Sequence, residues 1–231
     1  MERRITMKKR IAALLLIAAV CTGMSACAAG RTGSETRDPV VGGWTLTAGK
    51  TAAALPEEVQ AAFSAAAGEK LVPIALIGEQ IVAGTNEMLL CAEDGAYRMI
   101  VLYRNLQGGA EITRTSDFVL TDYTHNGDRE PGEPLAGGWY VPEAQTVLPL
   151  PESAQTAFEK ACGSFVGSSI EPIVLLGTQV VAGTNYAILC RVTPVYPDAL
   201  SSVQVVTVYA DLKGNAEFTG FSLIDPAEFN K

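Results

Sequence analysis

Hydrophobic positions recur in the same order twice along this chain. Val59, Ala62, Phe63 and Ala66 fall at helical spacing, and so do Ala154, Ala157, Phe158 and Ala161. Each series opens on a Pro followed by acid, as Pro56-Glu57-Glu58 and Pro151-Glu152-Ser153. Pro in the first turn and acids at the positive end of the dipole predict helix starts there. Gly68 and Gly163 predict the ends. Apolar, β-branched runs follow, which predict strands at 73–77, 88–91, 98–103 and 111–120, and again at 172–176, 187–192, 203–209 and 217–224. A short strand is expected near Trp44 and near Trp139. The narrow, Ala-rich helix faces suit close approach to a sheet. The pattern therefore predicts an α+β chain of two tandem domains, each one helix on a curved four- to five-stranded antiparallel sheet.

The repeat is densest at the turn between the first two long strands. Gln80-Ile81-Val82-Ala83-Gly84-Thr85-Asn86 returns as Gln179-Val180-Val181-Ala182-Gly183-Thr184-Asn185, identical at six of seven positions. Gly42-Gly43-Trp44 matches Gly137-Gly138-Trp139, and Leu55-Pro56-Glu57 matches Leu150-Pro151-Glu152. Asn105-Leu106-Gln107-Gly108 and Asp211-Leu212-Lys213-Gly214 read as a later hairpin in each copy. Two copies are too few for a solenoid, so tandem domains are expected over 41–123 and 136–231. The polar segment 124–135, rich in Gly, Pro and acids, reads as a linker, and 27–40 as a tether.

Residues 1–26 read as a leader. Arg3, Arg4, Lys8, Lys9 and Arg10 precede the unbroken apolar run Ile11–Val20, and translation is read as starting at either Met1 or Met7. That run has ten residues, whereas a helix across a bilayer takes ~20. It reads as a signal sequence and not as a permanent anchor. Met24-Ser25-Ala26-Cys27 resembles a bacterial lipobox, which implies a lipid on Cys27 and a protein held at the bacterial cell envelope, attached to the membrane. The alternative is ordinary secretion with Cys27 incidental.

Charge narrows the partners. The chain holds 17 Lys and Arg against 25 Asp and Glu, and five of the basic residues and one acid fall in the leader, which leaves −12 after it. Nucleic acid is not expected, because neutralising phosphates takes clustered Lys and Arg. Cys91 and Cys190 close the same apolar run in the two copies, and Cys162 ends the second helix. Buried free thiols and a Cys162–Cys190 disulfide both remain open. The single histidine, His125, sits in the linker, so no Cys–His or Ser–His–Asp constellation is expected within the chain. No Cys or His spacing suggests a metal, no cofactor is expected, and the chain does not read as an enzyme.

In this order of elements the residues resemble the cystatin superfamily of cysteine-protease inhibitors. Gln179-Val180-Val181-Ala182-Gly183-Thr184-Asn185-Tyr186 reproduces the Q-V-V-A-G-T-N-Y signature of the stefin branch, while Glu87 replaces the Tyr in the first copy. The resemblance implies a papain-like cysteine protease as partner, inhibited reversibly and without a covalent bond. It implies a wedge made of a trunk at Gly42, Gly43, Gly137 and Gly138. A first loop at Gln80, Ile81, Val82, Ala83 and Gly84, or Gln179, Val180, Val181, Ala182 and Gly183, would sit beside it. A second loop would follow at Leu212, Lys213 and Gly214. The alternative is a non-inhibitory cell-surface binding module, since a fold does not by itself give function.

Overall fold

The computed structural model describes residues 42–46, 54–124, 137–142 and 149–230. The leader, Cys27, the tether, and the linker from His125 to Leu135 lie outside the described residues. Two five-stranded antiparallel meanders make up most of the fold. The first runs β1 (Trp44–Thr45), β2 (Val72–Val82), β3 (Gly84–Glu93), β4 (Ala96–Arg104) and β5 (Ala110–Phe118), with helix α1 (Glu57–Ala66) between β1 and β2. The second runs β6 (Trp139–Tyr140), β7 (Ser168–Val181), β8 (Gly183–Pro194), β9 (Ser202–Asp211) and β10 (Ala216–Leu223), with α2 (Glu152–Cys162) between β6 and β7. A short 3-10 turn follows each meander, at Leu120–Tyr123 and Pro226–Asn230.

The expected α+β class of two tandem domains, each a helix on its own sheet, is corrected here. The protein is mainly β, a sandwich in which the two sheets share one core. Alternation along the strands shows why. Tyr186, Ile188 and Cys190 of β8 cluster with Val206 and Val208 of β9 and with Ala154, Ala157 and Phe158 of α2. Residues of the opposite parity on the same strands, Ala187 and Leu189 of β8 and Val203 and Val205 of β9, cluster instead with Leu76, Leu90 and Met99 of the first sheet. A sheet buried on both faces needs apolar side chains at consecutive positions and not at every second one. Met88-Leu89-Leu90-Cys91 and Ala187-Ile188-Leu189-Cys190 meet that need, and all eight side chains are fully buried.

The sheets meet as two equivalent partners would. Gly78 of β2 lies against Pro226, the first residue of the second 3-10 turn, and against the ring of Trp44. Gly177 of β7, the same position in the other repeat, lies against Leu120, the first residue of the first 3-10 turn, and against Trp139. Residue i of one half touches j of the other and the converse also holds, the mark of a two-fold contact, here within one chain. An added Cβ at Gly177 would come 2.7 Å from the Leu120 side chain, so glycine lets the second sheet approach. The Tyr97 hydroxyl donates to the Leu176 carbonyl at 2.8 Å, and Leu46 bridges Ser201.

Candidate functional site

In each repeat one sheet edge gathers the segments expected to act together. β2 pairs with β3 up to Val82↔Gly84, leaving only Ala83 at the tip, and β7 with β8 up to Val181↔Gly183, leaving Ala182. The Gly pair lies beside that tip. Gly42 N–H donates to the Ile81 carbonyl at 3.2 Å, and Gly137 is packed directly onto the Val180 carbonyl. On the other side the tip reaches the start of the later hairpin, since Gly84 packs on the Arg104 carbonyl and Gly183 on that of Ala210. Trunk, first loop and second loop therefore stand in a row across the end of each sheet.

Side chains tie the row together identically in both copies. Gln80 donates to the Gly42 carbonyl at 3.0 Å and accepts from Asn86 Nδ2 at 2.8 Å. Gln179 donates to the Gly137 carbonyl at 2.7 Å and accepts from Asn185 Nδ2 at 2.8 Å. The signature Gln and Asn are thus clamps, and the residues between them are what the edge presents. Gln179 is buried, so its amide is held by these bonds and not by water. From the neighbouring strand, the Tyr103 hydroxyl donates to the Ala83 carbonyl at 2.7 Å and the Tyr209 hydroxyl to that of Ala182 at 2.5 Å.

Glycine at the end of the first loop answers to the next strand as much as to the turn. Gly84 and Gly183 have φ of +135° and +141°, and an added Cβ would overlap a backbone carbonyl oxygen of that strand. It would also come 2.8 Å from the Tyr103 or Tyr209 ring. No L side chain suits that conformation, and a backbone neighbour cannot swing away.

What the edge offers is apolar. Val180 is 72 % exposed and Val181 43 %, against 40 % for Ile81 and 41 % for Val82. Ala83 and Ala182 are exposed as well. In the second loop Leu212 stands 87 % exposed, with Lys213 and Gly214 exposed beside it. Leu106, absent from the contact set expected from the sequence, stands at the corresponding tip of the first copy and is 80 % exposed. Tyr103, Tyr209, Asn86 and Asn185 were missing from that set too. The shared position of these residues in the two repeats was the available signal.

The second loops are built on a capping side chain. Asp211 Oδ1 accepts from the backbone N–H of Lys213 and Asn215 at 2.8 and 2.9 Å, and Oδ2 from Asn215 Nδ2 at 2.7 Å. The Asn215 side chain first, then these backbone donors, hold the Asp211 carboxyl below the usual carboxylate range. Asn105 makes the same turn in the first copy, accepting from the N–H of Gln107 and Gly109. Lys160 of α2 donates to the Gly214 carbonyl at 2.7 Å, fastening the second loop to its helix.

Behind the tips the copies differ. Tyr186 is buried in the layer between α2 and the second sheet, with Ala210 packed in the same layer. Glu87 takes that place in the first copy, fully buried, and accepts from Arg104 Nε at 2.6 Å. Arg104 stands where the second copy has Ala210, each directly after the tip-binding Tyr. The departure from the signature is therefore matched by a partner.

Among the described residues no group of three or more His, Cys, Asp and Glu could hold a metal. Cys91, Cys162 and Cys190 are buried free thiols. Burial pushes the Cys91 thiol up to about 12 and the Cys162 thiol to about 11, and raises Cys190 well above its ordinary value. Among the described residues no helix is long and apolar enough to cross a membrane. In comparisons with known proteins, no family model matches this chain, and no curated protein does so either.

Proposed function

We propose that the protein is a reversible, non-covalent inhibitor of papain-like cysteine proteases, held at the bacterial cell envelope by a lipid on Cys27. The observation that carries the reading is the row of three exposed segments at one sheet end, with an apolar tip at its centre. The sequence resemblance to cystatin inhibitors supplies the cleft that such a row would fill. The leader and Met24-Ser25-Ala26-Cys27 support the anchor.

The chemistry of the row suits obstruction and not turnover. Val180, Val181 and Leu212 offer apolar area to a partner, and fully burying such a side chain contributes about 1.5–3 kcal/mol. The Ala182 carbonyl is already bonded to the Tyr209 hydroxyl, and its neighbours Val181 and Gly183 are paired in the ladder. A backbone held in this way has little freedom to bend into the geometry that peptide cleavage requires. It also loses little entropy on docking.

The test is inhibition of a panel of papain-like enzymes by the full chain. Inhibition is expected at micromolar concentration or below. Replacing the apolar Val180 with Asp should weaken it on the order of 30-fold, the equivalent of about 2 kcal/mol of lost burial. A chain that leaves these enzymes fully active overturns the reading. Binding to another ligand that ignores Val180→Asp would favour a non-inhibitory module.

A further inference from the structure

We propose that one chain holds two papain-like protease molecules at once, one on each tip edge. The proposal rests on the inhibitor reading above and adds the number and placement of its sites.

The placement follows from how the sheets meet. Within each sheet the tips lie at one end, where β2 joins β3 or β7 joins β8, and the closing strand runs away from them. The 3-10 turns follow the closing strands, so they mark the ends remote from the tips. Yet Pro226 of the second turn touches Gly78, five residues before Ala83, and Leu120 of the first turn touches Gly177, five before Ala182. The tip-bearing part of each sheet therefore lies over the remote end of the other. Leu46, which follows β1 away from the first tip, bridges Ser201 at the start of β9, the end of that strand remote from the second tip. The two tip edges face opposite ends of the sandwich.

Room follows from strand length. Strands of 10 to 14 residues at ~3.3 Å per residue separate the edges by on the order of 40 Å. Two globular enzymes seated on tips pointing apart at that spacing do not compete for volume.

Each edge is also complete. The Gln clamp, the Asn that holds it, the Tyr bonded to the tip carbonyl and the Gly packed on the next strand are present in both. Both second loops carry an exposed Leu, Leu106 or Leu212. The copies differ in what the tips expose, Val180 standing farther out than Ile81, so the second edge is the tighter of the two.

Sedimentation velocity of the full chain with a papain-like protease lacking its catalytic thiol tests this. At saturating protease the complex should have the mass of one chain and two proteases. Ile81→Asp and Val180→Asp should each leave one protease bound, with Val180→Asp raising the protease concentration needed for half-occupancy more. Both positions are exposed, and an unchanged urea midpoint verifies that the fold is intact. One protease per chain at saturation, together with inhibition, overturns the two-site proposal and leaves the inhibitor reading standing. A single variant that removes both proteases also overturns it. No complex and no inhibition with the unmodified chain removes the inhibitor reading itself.

Discussion

Replacing Gly183 with Ala tests the claim that the tip is braced by the neighbouring strand. Gly183 holds φ at +141°, and a side chain forced to stay there costs about 1–3 kcal/mol in backbone strain. The new methyl would also overlap the Ala210 carbonyl oxygen and press on the Tyr209 ring. Relief requires β8 and β9 to part at that end, where Thr184 pairs with Ala210 and Gly183 with Asp211. Each ladder bond lost there contributes about 1 kcal/mol, so the combined loss should be about 2–4 kcal/mol. With a urea slope of about 2 kcal/mol per molar, the midpoint should fall by roughly 1–2 M. Two other glycines divide the effect. Gly95 has φ of +80° with open space where a Cβ would go, so Gly95→Ala should lose only the strain, about 1 kcal/mol. Gly68 has neither a positive φ nor a neighbour, and Gly68→Ala should stay within about 0.5 kcal/mol. Urea denaturation followed by tryptophan fluorescence reads all three. Equal midpoints for Gly183→Ala and Gly95→Ala would refute the argument from close approach.

Three further outcomes are expected. Gln179→Ala leaves the Gly137 carbonyl and the Asn185 amide without their partner, and should lower stability by about 1–2 kcal/mol in urea denaturation. Glu87→Ala removes the buried carboxylate that holds the partly exposed Arg104 and should cost about 1.5–3 kcal/mol. The pair Glu87→Tyr with Arg104→Ala copies the second repeat and should recover most of that loss, and recovery of none would dismiss the matched-partner account. The thiols of Cys91, Cys162 and Cys190 should resist iodoacetamide at pH 8 at least 100-fold more in the folded chain than in urea, read peptide by peptide by mass spectrometry. Their folded pKa values lie above the unfolded value, so the stability they lend is full below about pH 9 and falls as pH rises towards 12, where the unfolded chain alone ionises.

Local structure was legible because its signals are local. The Pro-acid openings place α1 and α2 at Glu57 and Glu152, and Gly163 closes α2. The hairpin tips were readable from Gly84 and Gly183 flanked by β-branched residues. The β2–β3 and β7–β8 registers were not, because each carries two bulges that shift the pairing, at equivalent places in the two repeats. The roles of Gln80 and Asn86 were hidden for a similar reason. Asn86 holds Gln80, but the Gly42 carbonyl that Gln80 in turn holds lies 38 residues away along the chain.

By itself the sequence determined the repeat, the order of helix and strands in each copy, the apolar tips and the acidic balance. Composition, short-range periodicity and the match of one half of the chain to the other carry all four. It also carried a mark of the sandwich, since Met88–Cys91 and Ala187–Cys190 are apolar at every position where a one-sided sheet would alternate. What covers the second face could be decided only in three dimensions, because an apolar face specifies that it must be buried and not by what. The tertiary structure answers with the other sheet, set so that Gly78 meets Pro226 and Gly177 meets Leu120. That contact turns two repeats into one molecule with a shared core, and points their tips in opposite directions.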